Sequence, residues 1–189
     1  MLFHASMKRM TFCPWYHHNI LQEGSMEIER KYLIDGTLPF SLEPFSCHLI
    51  EQAYLCTAPV VRVRRQDQDY ILTYKGSGLM AREEYNLPLT ATSYAHLLTK
   101  ADGNIITKKR YVIPLAGGLR AELDLFEGTF DGLRIVEVEF PTEKDASAFT
   151  APAWFGEEVT FSCAYHNSTL SSLTIAPGQT WRDLAAYRR

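Results

Sequence analysis

Residues 26–34 read MEIERKYLI, with Glu27, Glu29 and Lys31 two residues apart and Ile28, Arg30 and Tyr32 between them. In a β-strand, side chains at i, i+2 and i+4 share a face, so a strand here points two carboxylates and an ammonium the same way. One such strand is ordinarily a solvent-washed edge. The reading of the fold turns on whether its neighbours repeat the pattern.

They do. In VVRVRR (60–65) Arg62 and Arg64 share a face opposite Val61 and Val63, and in DYILTYKG (69–76) Lys75 follows Ile71 and Thr73, opposite Tyr70, Leu72 and Tyr74. Arg82 and Glu84 align in AREEYNLPL (81–89), as do Lys108 and Arg110 in IITKKRYVI (105–113). Arg120, Glu122 and Asp124 oppose Ala121, Leu123 and Leu125, and Glu137 and Glu139 oppose Val136, Val138 and Phe140. Acids and bases in nearly equal number thus occupy one face of successive strands, against an apolar opposite face. An open antiparallel sheet with its charged face in water fits this pattern. So does a closed barrel with helices outside and the charges lining its interior.

The remaining patterning predicts strands over 26–33, 48–56, 60–66, 69–75, 81–89, 105–113, 119–126 and 133–140, separated by Gly, Pro and Asp clusters. Helical periodicity is expected over 90–101 and 142–150, the second opened by a capping cluster of Thr142, Glu143 and Asp145, and a third helix near Ser168. The expected class is α+β, mainly β, with an eight-stranded antiparallel sheet. The 189 residues suit a single domain, and no repeat or linker argues for a second.

A formal net charge of −3 gives no bulk attraction for nucleic acid, so an anion site has to be local. Cys13, Cys47, Cys56 and Cys163 form no CxxC pair and have no histidine at zinc-finger spacing, which points to reduced thiols in a cytoplasmic protein. No apolar run approaches the length of a membrane span, so no membrane partner is expected. Residues 1–25 lack strand or helix periodicity, and the domain is expected to begin at Met26. The preceding residues then read as a non-native or flexible extension, the rival being a short packed arm. His17 and His18 fall in that segment and carry little weight as a metal pair.

Enclosed charges are costly unless paired, and doublets such as Arg-x-Arg and Glu-x-Glu suit a polyanion bound with a divalent cation. Bases would take the phosphoryl oxygens and acids the metal.

The residues also resemble a known family, the CYTH domains or triphosphate tunnel metalloenzymes, and among them the short bacterial inorganic tripolyphosphatases. The resemblance begins with Glu-x-Glu-x-Lys at Glu27, Glu29 and Lys31. It continues through EQAYL (51–55), VRVR (61–64), LTYKG (72–76), REEY (82–85), KKRY (108–111), AELDLFEG (121–128), VEVEF (136–140) and WFGEEVT (154–160), and ends at Tyr165, Asn167 and Leu170. It implies an eight-stranded closed barrel around a charged tunnel, cleaving the terminal phosphoanhydride of a linear triphosphate with Mg²⁺ or Mn²⁺.

By the same resemblance Lys31, Arg62, Arg64, Lys75, Arg82, Lys108 and Arg110 hold the substrate, and Glu27, Glu29, Asp124, Glu137 and Glu139 hold the metal. Glu84 and Glu122 line the tunnel, and Lys31, Tyr54 and Lys108 act at the reacting atoms, Tyr54 having a packing role as its rival. Class IV adenylate cyclase, thiamine triphosphatase and a non-catalytic polyphosphate- or nucleotide-binding module are the alternatives. The oligomeric state stays open, a homodimer being one option. Thr107 and Asn86 depart from the family pattern and are expected to face outward. Trp154 and Phe155 are expected as apolar anchors, with Glu157 and Glu158 solvated or capping.

Overall fold

A computed structural model of the protein describes residues 25–184 and Tyr187. The expectations about an extension before Met26 and about His17 and His18 lie outside these residues. Eight strands form one closed antiparallel barrel: β1 (Ser25–Leu33), β2 (Ser46–Thr57), β3 (Val60–Gln66), β4 (Asp69–Lys75), β5 (Ala81–Pro88), β6 (Asp102–Pro114), β7 (Arg120–Glu127) and β8 (Arg134–Glu139). Their order around the wall is β1-β5-β4-β3-β2-β6-β7-β8. Closure decides between the two geometries left open by the alternation and sets the open sheet aside.

The first strand is the seam. Ser25–Ile28 pair with β5, where Glu27 lies opposite Arg82, and Glu29–Leu33 pair with β8, where Glu29 lies opposite Glu139 and Lys31 opposite Glu137. Because the side-chain period is two, this register puts Glu27, Glu29, Lys31 and Leu33 inside, and a slip of one residue would bury Arg30 there instead. The second strand shifts register between Gln52 and Cys56 against both of its neighbours, a bulge that bends the wall.

The outer face carries the apolar residues. Helix α1 (Ala91–Leu98), capped by the Thr90 hydroxyl accepting from the Ser93 N–H, sets Tyr94 on Ala53 and Val63. Helix α2 (Glu143–Ala148) has the predicted cap, with Thr142 Oγ1 accepting from Asp145 N at 3.1 Å. The segment 149–155 covers Ile28, Tyr32, Val136 and Val138 with the expected apolar anchors, Trp154 and Phe155, and with Phe149. Gly156 passes so close to β1 that a Cβ there would lie 2.6 Å from the Leu33 carbonyl oxygen.

One end of the barrel interior is apolar. Leu33, Tyr54, Ile106, Phe126 and Ile135 share the inward parity of the charged residues, and they cluster with Val159, Tyr165, Leu170 and Trp181 from the chain after the barrel. Helix α3 (Asn167–Ser171) lies in this closing segment. The strands are long enough to run past the charged region, and their surplus inward positions are filled as a core.

Glu158 is exposed, as expected, and in addition accepts from Arg30 Nε at 2.8 Å and Nη2 at 2.5 Å. Arg30 also donates through Nη1 to the carbonyls of Ala146 and Phe149 and packs over the Tyr32 and Phe149 rings. This one outward guanidinium therefore ties β1 to the end of α2 and to the segment carrying Glu158. Arg30→Ala should lower stability in urea unfolding by about 2 kcal/mol, several charge-assisted bonds discounted for partial exposure. Arg30→Lys should recover less than half of that, since an ammonium cannot fork; wild-type stability in both variants would show the pair to be idle.

Candidate active site

The charged end of the interior encloses a cavity of about 440 Å³. Parity brings the predicted residues to its wall strand by strand: Glu27, Glu29 and Lys31 from β1, Tyr54 from β2, Arg62 and Arg64 from β3, and Lys75 from β4. The wall is completed by Arg82 and Glu84 from β5, Lys108 and Arg110 from β6, Glu122 from β7, and Glu137 and Glu139 from β8. Asp124 differs. It is fully buried behind the wall and forms ion pairs with Lys108 and Arg110.

Most of these charges join one alternating chain. Glu84 and Glu27 both lie 2.5 Å from Lys75 Nζ, and Arg82 bridges Glu27 at 2.9 Å and Glu29 at 3.1 Å. Lys31 joins Glu29 at 2.9 Å and also contacts Glu137. Arg110 reaches Glu137 and Asp124, each at 2.6 Å, and touches Glu122. Such pairing is what a low-dielectric enclosure requires. Burial alone would raise the Glu137 carboxyl, but Lys31, Arg110 and Lys108 hold it well below the usual carboxylate range. Lys75 likewise outweighs burial at Glu84 and brings it down to about 2. Lys108 goes the other way, since burial takes its ammonium down to about 8 despite Asp124.

Three groups stand outside the chain. Arg62 and Arg64 make no ion pair among the described residues, and each has a buried Nε without a hydrogen-bond partner. Arg62 donates to the Gln52 side-chain oxygen at 3.5 Å and to the Tyr54 hydroxyl, both neutral partners. Burial, with Arg62 and Arg110 adding repulsion, pushes Arg64 down to about 10. Glu139 is the acidic counterpart: it has no basic partner among the described residues, faces Glu29 across the β1–β8 ladder, and is raised by burial and then by Glu27, Glu122, Glu29 and Glu84. The wall thus presents unmet positive charge on β3 and unmet negative charge on β8.

No three His, Cys, Asp or Glu side chains among the described residues are gathered as a metal cage. The donor chemistry nevertheless fits a hard cation held by one or two carboxylates and completed by substrate oxygens, the usual manner of Mg²⁺. Mutual repulsion around Glu139 is what such a cation would relieve.

Tyr54 is buried at the junction with the apolar end, its hydroxyl accepting from Gln52 Nε2 at 3.0 Å. Both of its expected roles therefore have a structural basis. Asn86 corrects the expectation that it faces outward: it shares parity with Arg82 and Glu84, lines the cavity, accepts from Thr73 Oγ1 at 2.7 Å and donates to Glu84 at 2.6 Å.

Sequence reasoning missed Gln52, His48, His166, Asn167 and Ser168 as lining residues. The parity of Gln52 with Tyr54 could have signalled the first. The last three come from the closing segment rather than the barrel, so no strand alternation could mark them.

Comparison with known proteins agrees with this architecture. Residues 25–174 match the CYTH domain. The chain is 38% identical over 150 residues to an inorganic triphosphatase of Nitrosomonas europaea, covering 77% of this chain and 96% of that one. It is 32% identical over 146 residues to an inorganic triphosphatase of Acetivibrio thermocellus, covering 76% and 92%. A crystal structure of an inorganic triphosphatase superposes with a TM-score of 0.59 at 34% identity, covering 78% of this chain and 95% of that one. With its barrel, its inward charges and a match over most of its length, the chain belongs to the CYTH domain family.

Proposed function

We propose that the protein hydrolyses the terminal phosphoanhydride of a linear triphosphate, inorganic tripolyphosphate above all, bound in the charged end of the barrel with Mg²⁺ or Mn²⁺. The observation that carries this reading is the pair of enclosed guanidiniums, Arg62 and Arg64, whose Nε groups have no hydrogen-bond partner among the described residues, in a wall where Lys31, Lys75, Arg82, Lys108 and Arg110 are each engaged by carboxylates. An unpaired buried charge is costly, so the site is complementary to an anion that brings several oxygens. The relatives named inorganic triphosphatase support tripolyphosphate over an organic triphosphate.

In this reading Arg62 and Arg64 orient the phosphates, and Lys31, Lys75, Arg82, Lys108 and Arg110 exchange a carboxylate for a phosphoryl oxygen. Tyr54 orients the reacting end beside Arg62. Glu139, with Glu29 opposite and Glu27 nearby, would hold the cation, and Glu137 and Asp124 act mainly by fixing Lys31, Arg110 and Lys108. A divalent ion there supplies charge neutralisation at the phosphoryl oxygens. A small-molecule substrate, a cytoplasmic location and independence of membrane and nucleic acid belong to the same proposal. Exposed, free Cys47, Cys56 and Cys163 support a reducing compartment.

Purified protein with Mg²⁺ or Mn²⁺ should release phosphate from tripolyphosphate far faster than from pyrophosphate or ATP; comparable turnover of ATP to a cyclic product would replace this reading with a cyclase. Glu139→Gln should abolish metal-dependent turnover at unchanged unfolding temperature, and retained activity would remove Glu139 from the site. Lys108 is charged below about 8 and loses its proton as pH rises through that value. The free-enzyme profile of kcat/KM should therefore fall on its alkaline side near pH 8, and Lys108→Arg should push that limb upward. An alkaline limb that does not move in this variant would dissociate it from Lys108.

A further inference from the structure

The closing segment places two unpartnered acceptors in the cavity wall. His166 and Asn167 both line it, and His166 Nε2 and Asn167 Oδ1 are buried without a hydrogen-bond partner among the described residues. The His166 ring bonds to the backbone of Thr160, and since Nε2 has no partner that bond runs through Nδ1. Donation from Nδ1–H fixes the tautomer and leaves a lone pair on Nε2. The charged groups acting on the ring are Lys31 and Glu29 of β1 and Arg82 of β5; burial and then the two cations push its pKa below the ordinary histidine value, so the imidazole rests neutral.

Two buried acceptors left unmet are costly and call for a donor. A triphosphate offers chiefly oxygen acceptors at neutral pH and cannot supply it. The nearby cations are engaged, Lys31 by Glu29 and Glu137 and Arg82 by Glu27 and Glu29. Water, with two O–H donors, meets the requirement.

We propose that His166 and Asn167 seat the attacking water at the closed end of the cavity, with His166 Nε2 accepting its proton. The inference rests on the triphosphatase reading and deepens it. The water oxygen forms the new bond to the terminal phosphorus as the bridging P–O bond breaks, and the electron pair of that bond leaves on the pyrophosphate. One water proton passes to Nε2 while the other stays on the released orthophosphate. The imidazolium, still held at Thr160, returns its proton to the pyrophosphate or to solvent.

The test compares wild type, His166→Asn and His166→Ala on tripolyphosphate with Mg²⁺, alongside thermal unfolding. Asparagine keeps a short amide able to donate to Thr160 but has no atom at the Nε2 position. Both variants should fold, and kcat should fall by about 10²- to 10⁴-fold with KM little changed. Free imidazole should restore turnover to His166→Ala in proportion to its unprotonated fraction. An active wild type with wild-type kcat in His166→Asn, or a loss in His166→Ala that imidazole does not rescue, would overturn the inference alone. A wild type inactive on tripolyphosphate would overturn the functional reading and this inference with it.

Discussion

Charge enclosed by a protein wall has to be neutralised within the wall, and the ion-pair chain from Glu84 through Lys75, Glu27, Arg82, Glu29, Lys31 and Glu137 to Arg110 meets that requirement. The first strand makes the chain continuous because it hydrogen-bonds to β5 along its first half and to β8 along its second. Glu27 thereby meets the bases of β4 and β5, while Lys31 meets the acid of β8. Closure at this seam and neutralisation of the interior are one event, since an edge open toward β8 would part Lys31 from Glu137 and one open toward β5 would part Glu27 and Glu29 from Arg82.

The same register explains where pairing stops. Glu29 and Glu139 are directly opposed across the ladder, like charges that repel unless something lies between them. On β3 the successive inward guanidiniums Arg62 and Arg64 have no carboxylate within ion-pair range among the described residues. A wall built for stability alone would offset these two imbalances against each other. Keeping them apart on separate strands leaves a site with complementary demands for an anion and for a cation, which is the arrangement the proposed chemistry uses.

Much of this was legible in the sequence because a strand has only two faces. Once MEIERKYLI is assigned as a strand, parity alone sorts Glu27, Glu29 and Lys31 from Ile28, Arg30 and Tyr32, and the neighbouring strands repeat the sorting. The failures have local causes. Asn86 shares the parity of Glu84, two residues before it, so its outward expectation rests on a misread alternation and not on any limit of the sequence. Asp124 has inward parity yet sits behind Lys108 and Arg110, because alternation gives direction and not depth. Glu158 lay outside any strand pattern, so its partner Arg30, more than a hundred residues away, could not be inferred. His166 and Asn167 reach the cavity from an irregular segment, where no periodicity relates sequence position to direction. The apolar end was visible only in part, since Leu33, Ile106 and Phe126 look like ordinary core residues until closure shows them to be inside the barrel.

The pairing chain also bears on how ligands would enter. A triphosphate that takes Lys31, Arg82 and Arg110 must draw them from Glu29, Glu27 and Glu137, and those carboxylates then lose the charges that now satisfy them. On the proposed reading a divalent cation meets the released carboxylates, so each ligand removes the penalty that the other creates. Reciprocity follows, because a coupling free energy between two bound species is the same from either side. The cation would bind weakly to the empty wall, whose acids are mostly engaged, and the anion weakly without the cation. An enclosure assembled as a chain of ion pairs is in this sense held shut by its own charges, and it opens to the two ligands together more readily than to either one.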